Sequence, residues 1–203
     1  FAIYDKNALT QAIRSPLSFL MALYYIFSTE AFIRSTIAEV VLIVGLTPLI
    51  VIFIERYNSQ KININSIYGA SIVVIGLAAF IFPSLNKFDE QRLLGDLFAF
   101  GAAIVSAAFA VSIRRRNLNN KPLKIISLTF VTFCYGIILS GCIVYLDNSI
   151  YNMNLSLDNI VSLLALGIIS TALPTISYGI AATRLSSVTT ASLTLLTPIW
   201  ATV

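Results

Sequence analysis

The sequence predicts an all-α polytopic membrane protein, a helical bundle arranged as an inverted repeat. Three observations lead there. Hydrophobic residues make up 58% of the 203 residues and charged residues only 11%, against about 25% charged in a typical soluble protein. So few charged groups cannot cover a water-facing surface of this size. Apolar runs of membrane-crossing length follow one another along the chain, and one helix–turn–helix pattern recurs at an offset of 150 residues.

A bilayer core about 30 Å thick needs about 20 mostly apolar residues per helix. Seven runs qualify: 17–33, 37–54, 67–83, 97–113, 125–146, 160–183 and 185–203. Short polar joints separate them, and none has the basic leader and small-residue cleavage site of a signal peptide. Barrel strands would alternate in polarity over about ten residues, whereas these runs are apolar on every face. In 37–54, thirteen residues are Ile, Leu, Val or Phe, each favourable by roughly 0.3–0.6 kcal/mol at mid-membrane. Their sum outweighs Glu39, which stands near one end, so the span inserts despite its charge and its proline.

The basic residues set an expected topology. Of the 13 Lys and Arg, ten fall on one side: Lys6, Arg14, Arg56, Lys61, Arg114, Arg115, Arg116, Lys121, Lys124 and Arg184. Arg34, Lys87 and Arg92 fall on the other. The richer side is expected to be cytoplasmic. The net charge of +4 is therefore read as topology and not as nucleic-acid binding, since no soluble basic face exists to hold a duplex. The three consecutive arginines could also hold anionic lipid headgroups of the surrounding bilayer.

Several chemistries are excluded. The chain has no histidine, which removes imidazole catalysis and His-ligated metals. Cys134 and Cys142, in one apolar run, are expected to be buried small hydrophobes and not a metal pair or a disulfide. No phosphate-binding glycine loop occurs, so ATP does not drive it. No paired Ser-Lys or Asp-Asp chemistry stands at span depth. The expectation is no enzyme and no cofactor.

In the repeat, Ala31, Arg34, Leu46, Thr47 and Pro48 correspond to Ala181, Arg184, Leu196, Thr197 and Pro198. Both copies read as a span, a short turn after an arginine, and a span with Thr-Pro some thirteen residues on. The expected topology puts Arg34 and Arg184 on opposite sides, the inverted-repeat plan of secondary transporters. Counted through the offset, the chain supplies seven spans of a ten-helix, 5+5 plan. Residues 1–83 would hold the remainder of the first repeat, and 94–203 the second without its last helix. The chain begins with Phe1, so a start is expected to lie upstream.

The stretch Ala38-Glu39-Val40-Val41-Leu42-Ile43 running to Thr47-Pro48-Leu49, the exit Ile54-Glu55-Arg56, the pair Gly69 and Gly76, Gly95-Asp96, and Tyr178 with Thr197-Pro198 carry a resemblance. The chain resembles the drug/metabolite transporter superfamily in its EamA-type branch. Glu39 ahead of Pro48 resembles the aromatic amino-acid exporters of that superfamily, with Thr47 where those carry an aromatic residue. The resemblance implies a ten-helix basket with a central cavity. It would move a small metabolite, such as an amino acid, across the bacterial inner membrane by alternating access, as an exporter.

Candidate residues follow from burying polar groups in lipid. Glu39 is an ionisable group within a span, a functional-site hypothesis by default. It would bind a substrate amine or exchange a proton, coupling transport to protons. Alternatively, Thr36-x-x-Glu39 is a capping box. Glu30 and Arg34, four apart on one helix face, form either a structural ion pair or an external gate. Asp96, after Gly95, is expected to cap a helix start. Tyr24 and Ser28, then Thr171, Thr175 and Tyr178, then Ser187, Thr190, Thr194 and Thr197 recur at helical spacing. With Thr47 they either line a substrate cavity or bond between helices. Trp200 is either an interfacial belt residue or a cavity wall. Pro48, Pro174 and Pro198 each remove a helix hydrogen bond, giving a hinge or a static kink. Ala99, Ala103 and Ala107 form a small-residue stripe for close packing, within the chain or in a homodimer. The alternative to a carrier is a channel or a non-transporting assembly protein.

Overall fold

A computed structural model describes residues 6–57, 64–81, 90–120, 123–146 and 156–194. Among the described residues there are helices and connecting turns but no strand. In chain order the helices are α1 (Lys6–Arg14), α2 (Pro16–Arg34), α3 (Ile37–Val44), α4 (Thr47–Tyr57), α5 (Ile64–Ile81), α6 (Glu90–Leu118), α7 (Ile125–Leu146), α8 (Leu157–Ala165), α9 (Leu173–Arg184) and α10 (Ser187–Thr194). A π-helical segment, Leu166–Ala172, joins α8 to α9.

Among the described residues, five stretches are long and apolar enough to cross a membrane: Pro16–Arg34, Ile37–Tyr57, Gln91–Leu118, Ile125–Tyr145 and Asn159–Arg184. They match five of the seven expected runs. The third expected run falls on α5, whose apolar stretch Ile67–Gly76 is shorter. Of the seventh only α10 is described. Helix α1 precedes the first expected run and was not anticipated.

Local chemistry explains the breaks. Ser15 caps α2, its hydroxyl accepting from the Leu17 amide at 3.3 Å, and Pro16 fills the first helical position, where its missing N–H costs nothing. Pro48 cannot bond the carbonyl four residues back, and its ring crowds that carbonyl. The chain tightens there, with Leu46 N–H donating to Ile43 O at 3.0 Å and Leu49 N–H to Leu46 O at 3.0 Å, which separates α3 from α4. The Val44 carbonyl left by Pro48 accepts instead from Thr47 Oγ1 at 2.5 Å. Asn120, at φ 55°, ends the α6 segment in the left-handed conformation that asparagine tolerates.

Helix α6 is the centre of the packing. It lies against α2 over much of its length and also meets α3, α4, α9 and α10. Ala99, Ala103 and Ala107 are fully buried. Ala99 packs with Ala31 and Val40, and Ala107 with Val51, Val111 and Ala191. The alanine stripe is thus a seam within the chain, where small side chains let backbones approach. Because α2 and α6 come from different halves of the sequence, the two halves share one core.

Two expectations are corrected. Asp96 does not open a helix, because α6 begins at Glu90, seven residues before the apolar run that starts at Leu97. Cys134 and Cys142 are exposed on α7. A thiol facing lipid loses nothing by exposure, so apolarity does not imply a buried position here.

Candidate functional site

The two ends of α6 hold the two arginine turns. Near its start, Gly95 lies against the Arg34–Ser35 turn so closely that a Cβ there would stand 2.7 Å from Ser35 Cβ and 2.8 Å from the Ser35 amide nitrogen. Near its finish, Arg114 Nη1 and Asn117 Nδ2 both donate to the Thr183 carbonyl, at 3.1 and 2.6 Å. Gly95 and Asn117 are 22 residues apart on one helix, about 33 Å at 1.5 Å per residue, close to the thickness of a bilayer core. Helices α2 and α9 therefore run in opposite directions beside α6.

The turns match in detail at the 150-residue offset. The Ser35 amide donates to Ala31 O at 2.8 Å, and the Leu185 amide to Ala181 O at 2.8 Å. The Glu39 amide donates to Thr36 Oγ1 at 3.3 Å, and the Thr189 amide to Ser186 Oγ at 3.1 Å. Tyr25 Oη, midway along α2, and Thr175 Oγ1, in the first turn of α9, hydrogen-bond across the two helices, and these residues are themselves 150 apart.

Around that bond lies a hydroxyl cluster formed by α2, α6 and α9. The Tyr24 ring packs edge-on to Tyr25 at 5.4 Å, and the Tyr24 hydroxyl meets Ser28. Tyr178 stacks on Phe109 at 6.2 Å. Its hydroxyl is buried beside Ser106 without a well-formed hydrogen bond. Thr175 also donates to Thr171 O at 2.5 Å. The structure thus brings together Tyr24, Ser28, Thr175 and Tyr178 of the expected residues, and adds Tyr25 and Ser106.

Other expected residues lie elsewhere. Thr171 Oγ1 donates to Leu166 O at 3.2 Å, and Thr190 Oγ1 to Ser186 O at 3.0 Å, so both serve their own helix backbone, as Thr47 does. Pro48 sits buried at the α3–α4 break. Pro174 follows the π-helical segment, where the Leu173 amide reaches five residues back to Ile168 O. Pro198 and Trp200 lie outside the described residues, as does the side chain of Thr194.

Glu39 stands at the Arg34 end of α6, remote from the hydroxyl cluster. The capping box is complete: Thr36 accepts from the Glu39 amide, and Glu39 Oε2 accepts from the Thr36 amide at 3.4 Å. Glu39 Oε2 also accepts from Ser35 Oγ at 2.8 Å, and Glu39 Oε1 lies 3.6 Å from Arg92 Nη2. Ser35 Oγ lies 2.6 Å from Asp96 Oδ1. Arg34 pairs with Glu30 on its own helix at 3.0 Å and stands over the Phe98 ring at 5.8 Å. The polar contacts that cross between helices here run through Ser35, Arg92 and Asp96.

Among the described residues no group of three acidic or cysteine side chains could hold a metal ion. A crevice lined by Leu17, Ile113, Arg116, Asn117 and Thr183 opens at the Arg184 end of α6. Compared with known families and curated proteins, the chain matches no family model and no curated protein.

Proposed function

We propose that the chain is a secondary carrier of small metabolites, amino acids or related compounds, working by alternating access between two inverted halves. The supporting observation is the Tyr25–Thr175 hydrogen bond. Where two copies of a motif are related by a two-fold axis, a residue meets its own counterpart only at the axis. Tyr25 and Thr175 each stand nine residues before the arginine of their turn, and those turns occupy opposite ends of α6. This arrangement suits an axis lying in the membrane plane, the geometry of inverted-repeat carriers.

On this reading the hydroxyls of Tyr24, Ser28, Ser106 and Tyr178, close to the axis at mid-depth, are the groups that meet a solute. Substrate sites in such carriers lie near the bilayer midplane at the repeat interface. Glu39 caps its helix at one face of the membrane and is not at the solute. The seven-of-ten span plan, the cytoplasmic placement of the Arg184 turn and export across the inner membrane belong to the same proposal.

Counterflow in liposomes tests it. Vesicles preloaded with an unlabelled amino acid should transiently concentrate the labelled compound, and Tyr178→Phe should reduce that uptake. Unidirectional flux without counterflow would favour the channel reading. No flux of any candidate would favour an assembly role.

A further inference from the structure

One hydroxyl at the α2–α3 turn faces two carboxylates. Ser35 Oγ is 2.8 Å from Glu39 Oε2 on α3 and 2.6 Å from Asp96 Oδ1 on α6. A serine hydroxyl carries one hydrogen and can donate to one acceptor at full strength, while ionised carboxylates only accept. One of these two contacts is therefore satisfied at the expense of the other. Arg92 engages Glu39 through Oε1, and Arg34 is held by Glu30 and the Phe98 ring.

We propose that Ser35 is a two-position switch that latches the α2–α3 turn to α6 or releases it. With the hydrogen on Asp96, the turn is tied across the seam between the halves. With the hydrogen on Glu39, the turn closes on its own capping box, and Asp96 is left facing an oxygen lone pair. The two positions differ by rotation about one Cβ–Oγ bond, so a small perturbation can move the balance. At the opposite end of α6 the described residues show no such competition. There the Thr183 carbonyl accepts from Arg114 and Asn117 at once, and a carbonyl with two lone pairs serves two donors without competition. The Arg34 end is therefore the one built to open. The inference concerns the latch itself and holds whether or not a solute is carried.

Hydrogen exchange read by mass spectrometry on the whole chain in lipid nanodiscs tests the switch. The readout is the exchange rate of backbone amides in peptides covering 31–40 and 91–99. Asp96→Asn is the deciding variant. Its amide can donate to Ser35 Oγ while Ser35 donates to Glu39, so both contacts form together and exchange slows below the wild-type rate. Ser35→Ala removes both contacts and should speed exchange roughly tenfold, the scale of one lost hydrogen bond. An ordinary serine–aspartate hydrogen bond gives the opposite sign for Asp96→Asn, because a charge-assisted bond is replaced by a weaker neutral one. Exchange in Asp96→Asn as fast as wild type, or faster, overturns the proposal, even if Ser35→Ala fails to fold.

Discussion

Tyr25, midway along α2, and Thr175, in the first turn of α9, are 150 residues apart in sequence and hydrogen-bond to each other between two antiparallel helices. The same offset relates the arginine turns and their helix caps. The bond therefore joins the sequence repeat to the packing.

The Tyr25–Thr175 contact should be energetically coupled. Tyr25→Phe, Thr175→Val and the double variant form a cycle. Thermal unfolding in detergent should give a coupling of about 0.6–1.7 kcal/mol, the average-to-maximum range for hydrogen bonds between membrane helices. Strict additivity of the two single changes would show that the bond contributes nothing.

Gly95→Ala should destabilise by about 1–3 kcal/mol, the usual cost of overpacking. The added Cβ meets the Ser35 backbone nitrogen at 2.8 Å and the Arg34 carbonyl carbon at 3.0 Å, atoms that cannot move without shifting the turn. Gly179→Ala meets mainly the Ile125 side chain, with Cγ2 at 2.6 Å, and should cost less because that side chain can turn away. At Gly167 a Cβ meets nothing, so alanine there should be neutral or stabilising by up to about 1 kcal/mol. The order of the three melting temperatures checks the account.

The capping box separates two roles of Glu39. Thr36→Ala should cost about 0.5–2 kcal/mol. Glu39→Gln should keep most of the cap, since glutamine also serves at that position. Counterflow by Glu39→Gln should remain near wild type. A large loss of transport with unchanged stability would put Glu39 back among the solute-binding residues.

The other end of α6 is held by Arg114 and Asn117. Asn117→Ala should expose the Arg184 turn, with a loss of about 0.5–1.5 kcal/mol for one hydrogen bond. Faster hydrogen exchange in a peptide covering 179–188 checks this.

The sequence made the helices legible because membrane insertion depends on summed apolarity, which composition reports directly. It showed the turns too, since Thr36-x-x-Glu39 and the prolines act through neighbouring backbone. Cross-helix contacts were harder to read. Asp96 looked like a cap because the apolar run stops at Leu97, yet helix geometry continues through polar Gln91 and Arg92 at the membrane edge. Cys134 and Cys142 looked buried because lipid-facing and core-facing residues share one chemistry. Spacing at Thr47, Thr171 and Thr190 offers a cavity lining or a bond between helices, and it does not show that each hydroxyl also donates to a carbonyl of its own helix. Tyr25 carries a signal of its own in the sequence: extending the repeat register from Ala31 back to Tyr25 lands on Thr175.

The central claim is that the Arg34 and Arg184 turns face opposite sides of the membrane. Single cysteines at Ile33 and Leu185, with Cys134 and Cys142 replaced by serine, can be reacted with a membrane-impermeant maleimide on sealed vesicles of known orientation. The account predicts that one position reacts from outside and the other only after permeabilisation. Reaction of both from the same compartment would contradict the inverted arrangement and the carrier proposal with it.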